Sequence, residues 1–175
     1  HGYFELREVV DIPVLFIGET AFYVACLMSP RFAVVAASEV VLRGIEENIK
    51  RYGLSERVLP GSHIGTTSER LLVASFAADP QPIIDKVVTA AKRVVDEGAG
   101  VIVPGFGGLS LFLVDRGVRQ VEGVPILDNT GALIKMAEAM VDLRRMGVAK
   151  GRTGLGGSPS KEELLAARKL YGAEG

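Results

Sequence analysis

The chain has 175 residues, 48% of them hydrophobic, which suffices for one solid core and part of a second. Twenty basic against 21 acidic side chains leave a formal net charge of -1, and no long run of either sign supplies the electrostatic footprint of a nucleic-acid binder. A single cysteine excludes an internal disulfide and a cysteine-rich metal site. No apolar run reaches the roughly 18 residues of a membrane span, and no signal-peptide pattern opens the sequence. A cytoplasmic protein is expected, with no nucleic-acid or membrane partner and with homo-oligomerisation left open.

In chain order the signals alternate between strand and helix. Pro13–Ile17 reads as a buried strand, and a helix from Glu19 or Thr20 runs to about Met28, where Ser29-Pro30 ends it. Phe32–Ala36 is a second apolar strand. Ser38 then stands as an N-cap for a helix from Glu39 to Tyr52, with Val41, Leu42, Ile45 and Ile49 on one face and Gly53 as its stop. Val58-Leu59 reads as a short third strand. Gly61–Ser68 reads as a polar loop, and Leu71–Phe76 carries no decisive pattern.

From Asp79-Pro80 onward the pattern sharpens. Residues 83–97 place Ile83, Ile84, Val87, Val88, Ala91, Val94 and Val95 at helical spacing before Gly98. Val101–Val103 is a buried strand ending in Pro104-Gly-Phe-Gly-Gly108, a loop that feeds a short helix from about Leu109. Val124–Leu127 is another strand, and Thr130–Met146 a long amphipathic helix. Gly151–Gly157 is a flexible tether, and Ser160-Lys-Glu-Glu163 has the spacing of a capping box. This order predicts an α/β fold with a mainly parallel sheet covered on both sides. Asp11–Ala21 and Gly123–Leu133 share one plan, in which proline opens a strand that ends at small or carboxylate residues where a helix starts. Two such junctions suggest a duplicated architecture with a site between its halves.

The run Val10-Asp-Ile-Pro-Val-Leu-Phe-Ile-Gly-Glu-Thr-Ala21, then Arg31–Val35, Ile45–Leu54, Gly98-Ala-Gly-Val-Ile-Val-Pro-Gly-Phe-Gly-Gly-Leu109, Val124–Asp128 and Lys135–Glu138 resembles the Asp/Glu/hydantoin racemase family over most of residues 2–150. The resemblance implies two flavodoxin-like lobes with an active site in the cleft between them, no cofactor, and two facing cysteines that remove and return a proton beside a carbonyl. It implies an isomerase of amino-acid or hydantoin racemase type, acting on a small carboxylate, hydantoin or related amide. Alternatives are a decarboxylase or lyase on the same fold and a non-catalytic small-molecule-binding or maturation protein.

Two departures stand out. Where the family has Gly-Cys-Ala-Gly, this chain has Gly105-Phe-Gly-Gly108, so Phe106 occupies the second thiol position and cannot exchange a proton. The first thiol position falls just upstream of His1, and the family's opening strand is not represented. The expected division is therefore residues 1–30 as a remnant of the first lobe with a crossover helix, 31–128 as a complete lobe, 129–150 as a helix returning to the first lobe, and 151–175 as tether and C-terminal helix. A longer native polypeptide is expected, because a sheet lacking strands leaves open edges.

Strand ends predict the ligand-binding residues as Glu19, Ser38, Gly105, Phe106, Gly107, Gly108, Asp128 and Asn129, gathered along one cleft. Each has a plainer reading beside it. Glu19 can answer the helix dipole, Ser38, Asp128 and Asn129 can cap helices, and the glycines can serve backbone geometry alone. His63 reads as a surface or hydrogen-bonded side chain and Cys26 as a buried, inert thiol. Gly154–Ser158 lacks the Lys-Ser/Thr pair of a phosphate-binding loop.

Overall fold

Phe32 to Ala36 is an unbroken buried run, and the alternation of a strand sends its side chains to two faces. Ala33 and Val35 enter one hydrophobic cluster, while Phe32, Val34 and Ala36 enter another. A strand buried on both faces needs helices on both sides, and the structure, a computed structural model describing residues 6–7, 10–75, 79–148, 151 and 160–170, supplies them.

The elements are α1 (Ile17–Met28), β1 (Ala33–Ala36), α2 (Glu39–Arg51), β2 (Ser62–His63), α3 (Ser68–Ser75), α4 (Gln81–Asp96), β3 (Ile102–Pro104), α5 (Gly107–Asp115), β4 (Gln120–Val121), β5 (Val124–Pro125), α6 (Asn129–Arg145) and α7 (Lys161–Leu170). β1 pairs in parallel with β2 on one edge and β3 on the other, giving the order β2-β1-β3. Ile126 adds a further parallel bridge to Ile102. Reversal of strand order between β1 and β3 is the switch point of a flavodoxin-like sheet. Ala21, Phe22 and Ala25 of α1 and Leu42 and Ile49 of α2 fill one face. Val87, Ala90, Ala91 and Val94 of α4 and Leu109, Phe112 and Leu113 of α5 fill the other.

Three expectations change. Residues 13–16 form no strand, and α1 begins at Ile17 instead of Glu19. An extended run becomes a strand only beside a hydrogen-bonded neighbouring strand, and neither sheet of the described residues includes residues 13–15. Phe16 remains extended, with φ −120° and ψ 132°, and its carbonyl accepts the first helical bond from Thr20. The segment expected as a polar loop from Gly61 holds β2 and the first residue of α3. Val58 bridges Phe32 and Ser62 pairs with Val35, so one strand edge runs from 58 to 63 and is interrupted at Pro60, which has no N–H to donate.

The 124–127 segment serves two neighbours. Val124-Pro125 pairs antiparallel with β4 through a turn at Glu122 and Gly123, both with positive φ (49° and 81°) as a two-residue hairpin demands. Ile126 N–H still reaches back to Arg119 O, whereas Leu127 N–H donates to Ile102 O at 2.9 Å.

Two compact units can be distinguished, Phe16–Lys135 and His1–Leu15 with Met136–Gly175. The first contains the sheet and both clusters. In the second, Arg144 Nη2 pairs with Asp11 Oδ2 at 3.0 Å and Arg7 Nε donates to Val14 O. The capping box at α7 forms as read: Ser160 N–H donates to Glu163 Oε2 at 2.6 Å and Glu163 N–H to Ser160 Oγ at 3.2 Å. The tether residues 152–159 lie outside the described residues. Among the described residues no helix is long and apolar enough to cross a membrane.

Candidate functional site

β3 ends at Pro104, and the chain then approaches β1 more closely than any side chain would permit. A Cβ on Gly105 would stand 2.9 Å from Ala36 Cα and 3.1 Å from Ile45 Cδ1. Gly105 N–H is spent on Val35 O at 2.8 Å, so this glycine serves strand packing and has no amide to offer a ligand. Phe106 is extended and sits at the N-cap position of α5, where it has no side chain capable of capping. The first N–H groups of that helix, at Gly107 and Gly108, have no intrahelical acceptor.

A mostly apolar cavity of about 200 Å³ opens at this junction. Phe16, Ile17, Gly18, Ala21 and Phe22 from the start of α1 line it, with Ile45, Asn48 and Tyr52 from α2 and its cap. Val103 to Gly107 and Asn129 complete the wall. Of the eight residues expected at the site, Gly105, Phe106, Gly107 and Asn129 are brought together here, from positions up to 24 apart in sequence.

The other four stand outside this wall. Ser38 Oγ accepts from Val41 N–H at 3.4 Å and caps α2. Asp128 Oδ1 accepts from Gly131 N–H at 3.0 Å and caps α6. Gly108 lies under the Phe106 ring, where an added Cβ would come within 2.7 Å of Cε2. Glu19 occupies the first turn of α1 and is half-buried.

Sequence reasoning missed Phe16, Asn48 and Tyr52. Ile45, Asn48 and Tyr52 recur at helical spacing, a pattern that a core-facing stripe shares. His63, placed by sequence in a loop, lies at the carboxyl end of β2 opposite Ala36. Its Nδ1 is buried without a protein partner among the described residues. Glu39 is held below the usual carboxylate range by the hydrogen bond and charge of Arg43, with a smaller pull from His63. Cys26 is half-buried on α1, and burial pushes its thiol above the ordinary range, opposed in part by Arg57. A protonated thiol away from the cavity wall is a poor nucleophile. Among the described residues no three His, Cys, Asp or Glu side chains gather to hold a metal ion.

The profile of the Asp/Glu/hydantoin racemase family matches residues 1–137. The chain belongs to that family. Among curated members it is 33% identical over 172 residues to a hydantoin racemase of Pseudomonas sp. (strain NS671), covering 98% of this chain and 65% of the relative. It is also 33% identical over 143 residues to a hydantoin racemase of Rhizobium meliloti, covering 80% of this chain and 56% of the relative. An allantoin racemase structure from Klebsiella pneumoniae superposes with a TM-score of 0.74 at 26% identity, over 91% of this chain and 62% of that one. An allantoin racemase structure from Pseudomonas fluorescens gives 0.71 at 29% identity, over 92% and 66%. The chain thus spans less than two thirds of the length of these relatives, and its α/β architecture is that of the racemase fold.

Proposed function

We propose that this chain is a cofactor-independent racemase-family protein that takes a small carboxylate, hydantoin or related amide into the cavity at the β3–α5 junction, with Phe106 in place of the second thiol. The observation that carries this reading is the position of Phe106 itself. The ring stands in the cavity wall, at the position to which the sequence resemblance assigns the family's second cysteine. Membership of the family and hydantoin or allantoin racemases as relatives support the ligand class.

Two-thiol racemisation needs one group to take the α-proton from one face and a second to return a proton to the other. A phenyl ring does neither. Binding in the cavity lowers no barrier unless a proton-transfer group acts in the transition state. A decarboxylase reading stands second, favoured by the apolar lining, because an apolar wall raises the energy of a bound carboxylate.

The test is incubation of the chain with one enantiomer of a 5-substituted hydantoin in D2O, following enantiomeric excess by chiral chromatography and α-deuteration by NMR. The expected result is loss of enantiomeric excess at the rate of buffer alone, with Phe106→Cys adding exchange at one face. Racemisation by the unaltered chain that disappears when Cys26 is alkylated would overturn the proposal.

A further inference from the structure

α5 opens with two glycines in succession, Gly107 and Gly108. Glycine is the poorest helix former after proline, and neither residue has a positive φ that would require one. The reason lies in what surrounds them. A Cβ on Gly108 would stand 2.7 Å from Phe106 Cε2 and 3.3 Å from its Cδ2, so the Phe106 ring occupies the space that a side chain would fill. A Cβ on Gly107 would meet Ile17 Cδ1 at 3.2 Å, whereas at Gly105 the nearest obstacle is the backbone of Ala36. Backbone in a paired strand yields little, but an aromatic side chain can turn to another staggered rotamer.

We infer that Gly108 is a positioning residue for the cavity: its missing Cβ seats the Phe106 ring at the wall, and a side chain there turns the ring into the cavity. The direction follows from packing. Phe106 both lines the cavity and packs against the cluster that holds Leu109, Phe112 and Leu113. Those three side chains are at most 6% exposed, and a close-packed interior has no room for a displaced ring. Turning to solvent would give up the ring's apolar burial. The mostly apolar cavity, about 200 Å³, is the open space beside it. The bulk of any ligand admitted is thus set by a residue outside the wall, acting through Phe106. This inference concerns the shape of the cavity and does not depend on the ligand class proposed above.

Benzene is the probe, since an apolar cavity of this order admits it. Titrated into the 175-residue chain and followed by two-dimensional NMR, it should bind with amide shifts at Ile17, Gly18, Phe106 and Gly107. Gly108→Ala should bind it about tenfold more weakly or worse, the size of effect that overpacking produces. In a Phe106→Ala background the same substitution should change affinity by less than about twofold, because no ring remains to be displaced. Unchanged affinity in Gly108→Ala, or an equal loss with and without the Phe106 ring, overturns the inference, as does failure of the unaltered chain to bind benzene. Nuclear Overhauser contacts between the Phe106 ring protons and Gly108 Hα are expected in the unaltered chain, and their absence overturns the inference even if Gly108→Ala does not fold.

Discussion

At the scale of single residues, the same side-chain type can cap a helix or meet a ligand, and geometry separates the two. Asp128 and Asn129 are neighbours in sequence at the end of one strand. Asp128 spends its carboxylate on Gly131 N–H, while Asn129 keeps one oxygen unspent. Sequence places both at the strand end, but it cannot show that Pro104 O would claim Nδ2. Replacing Asp128 with alanine should destabilise the fold by about 1 kcal/mol in urea denaturation, the usual worth of a carboxylate cap, with most of it retained in Asp128→Asn. An alanine variant as stable as the parent would show that the cap contributes nothing.

At the scale of elements, the legible parts were those with a strong period and a clear stop. The α2 and α4 helices, the parallel strands β1 and β3, and the capping box of α7 all follow from apolar spacing, Ser38, Gly53, Gly98 and Ser160. Pairing-dependent features were not legible. Residues 13–15 have the composition of a strand, yet among the described residues no strand runs beside them, and Ser62-His63 looks polar yet becomes a strand because Val35 and Ala36 offer an edge. Gly105 is among the expected ligand-binding residues, and it instead permits close contact between β1 and β3. Gly105→Ala should therefore cost about 1–3 kcal/mol of stability, as overpacking does, because the nearest obstacle is Ala36 backbone at 2.9 Å. A denaturation midpoint unchanged from the parent would contradict that packing role.

At the scale of the whole molecule, the parallel sheet explains where a cavity forms, and family membership does not say what the cavity does. Residues from α1, α2, the β3–α5 loop and α6 converge on one cavity within Phe16–Lys135. The fold brings them together because strand ends in an open α/β sheet face the same crevice. Sequence located half of the expected residues in that wall, since Gly105, Phe106, Gly107 and Asn129 follow strand ends directly. Phe16, Asn48 and Tyr52 escaped it because a helix face that borders a cavity has the same period as one that borders a core.

The most direct measurement is an amide chemical-shift map of the 175-residue chain titrated with hydantoin by two-dimensional NMR. The account predicts that shifts concentrate at Phe16, Gly18, Phe22, Gly105, Phe106, Gly107 and Asn129 and follow one binding curve. Shifts that gather instead around Ser38 and His63, or no shifts at all, would contradict a ligand site at the β3–α5 junction.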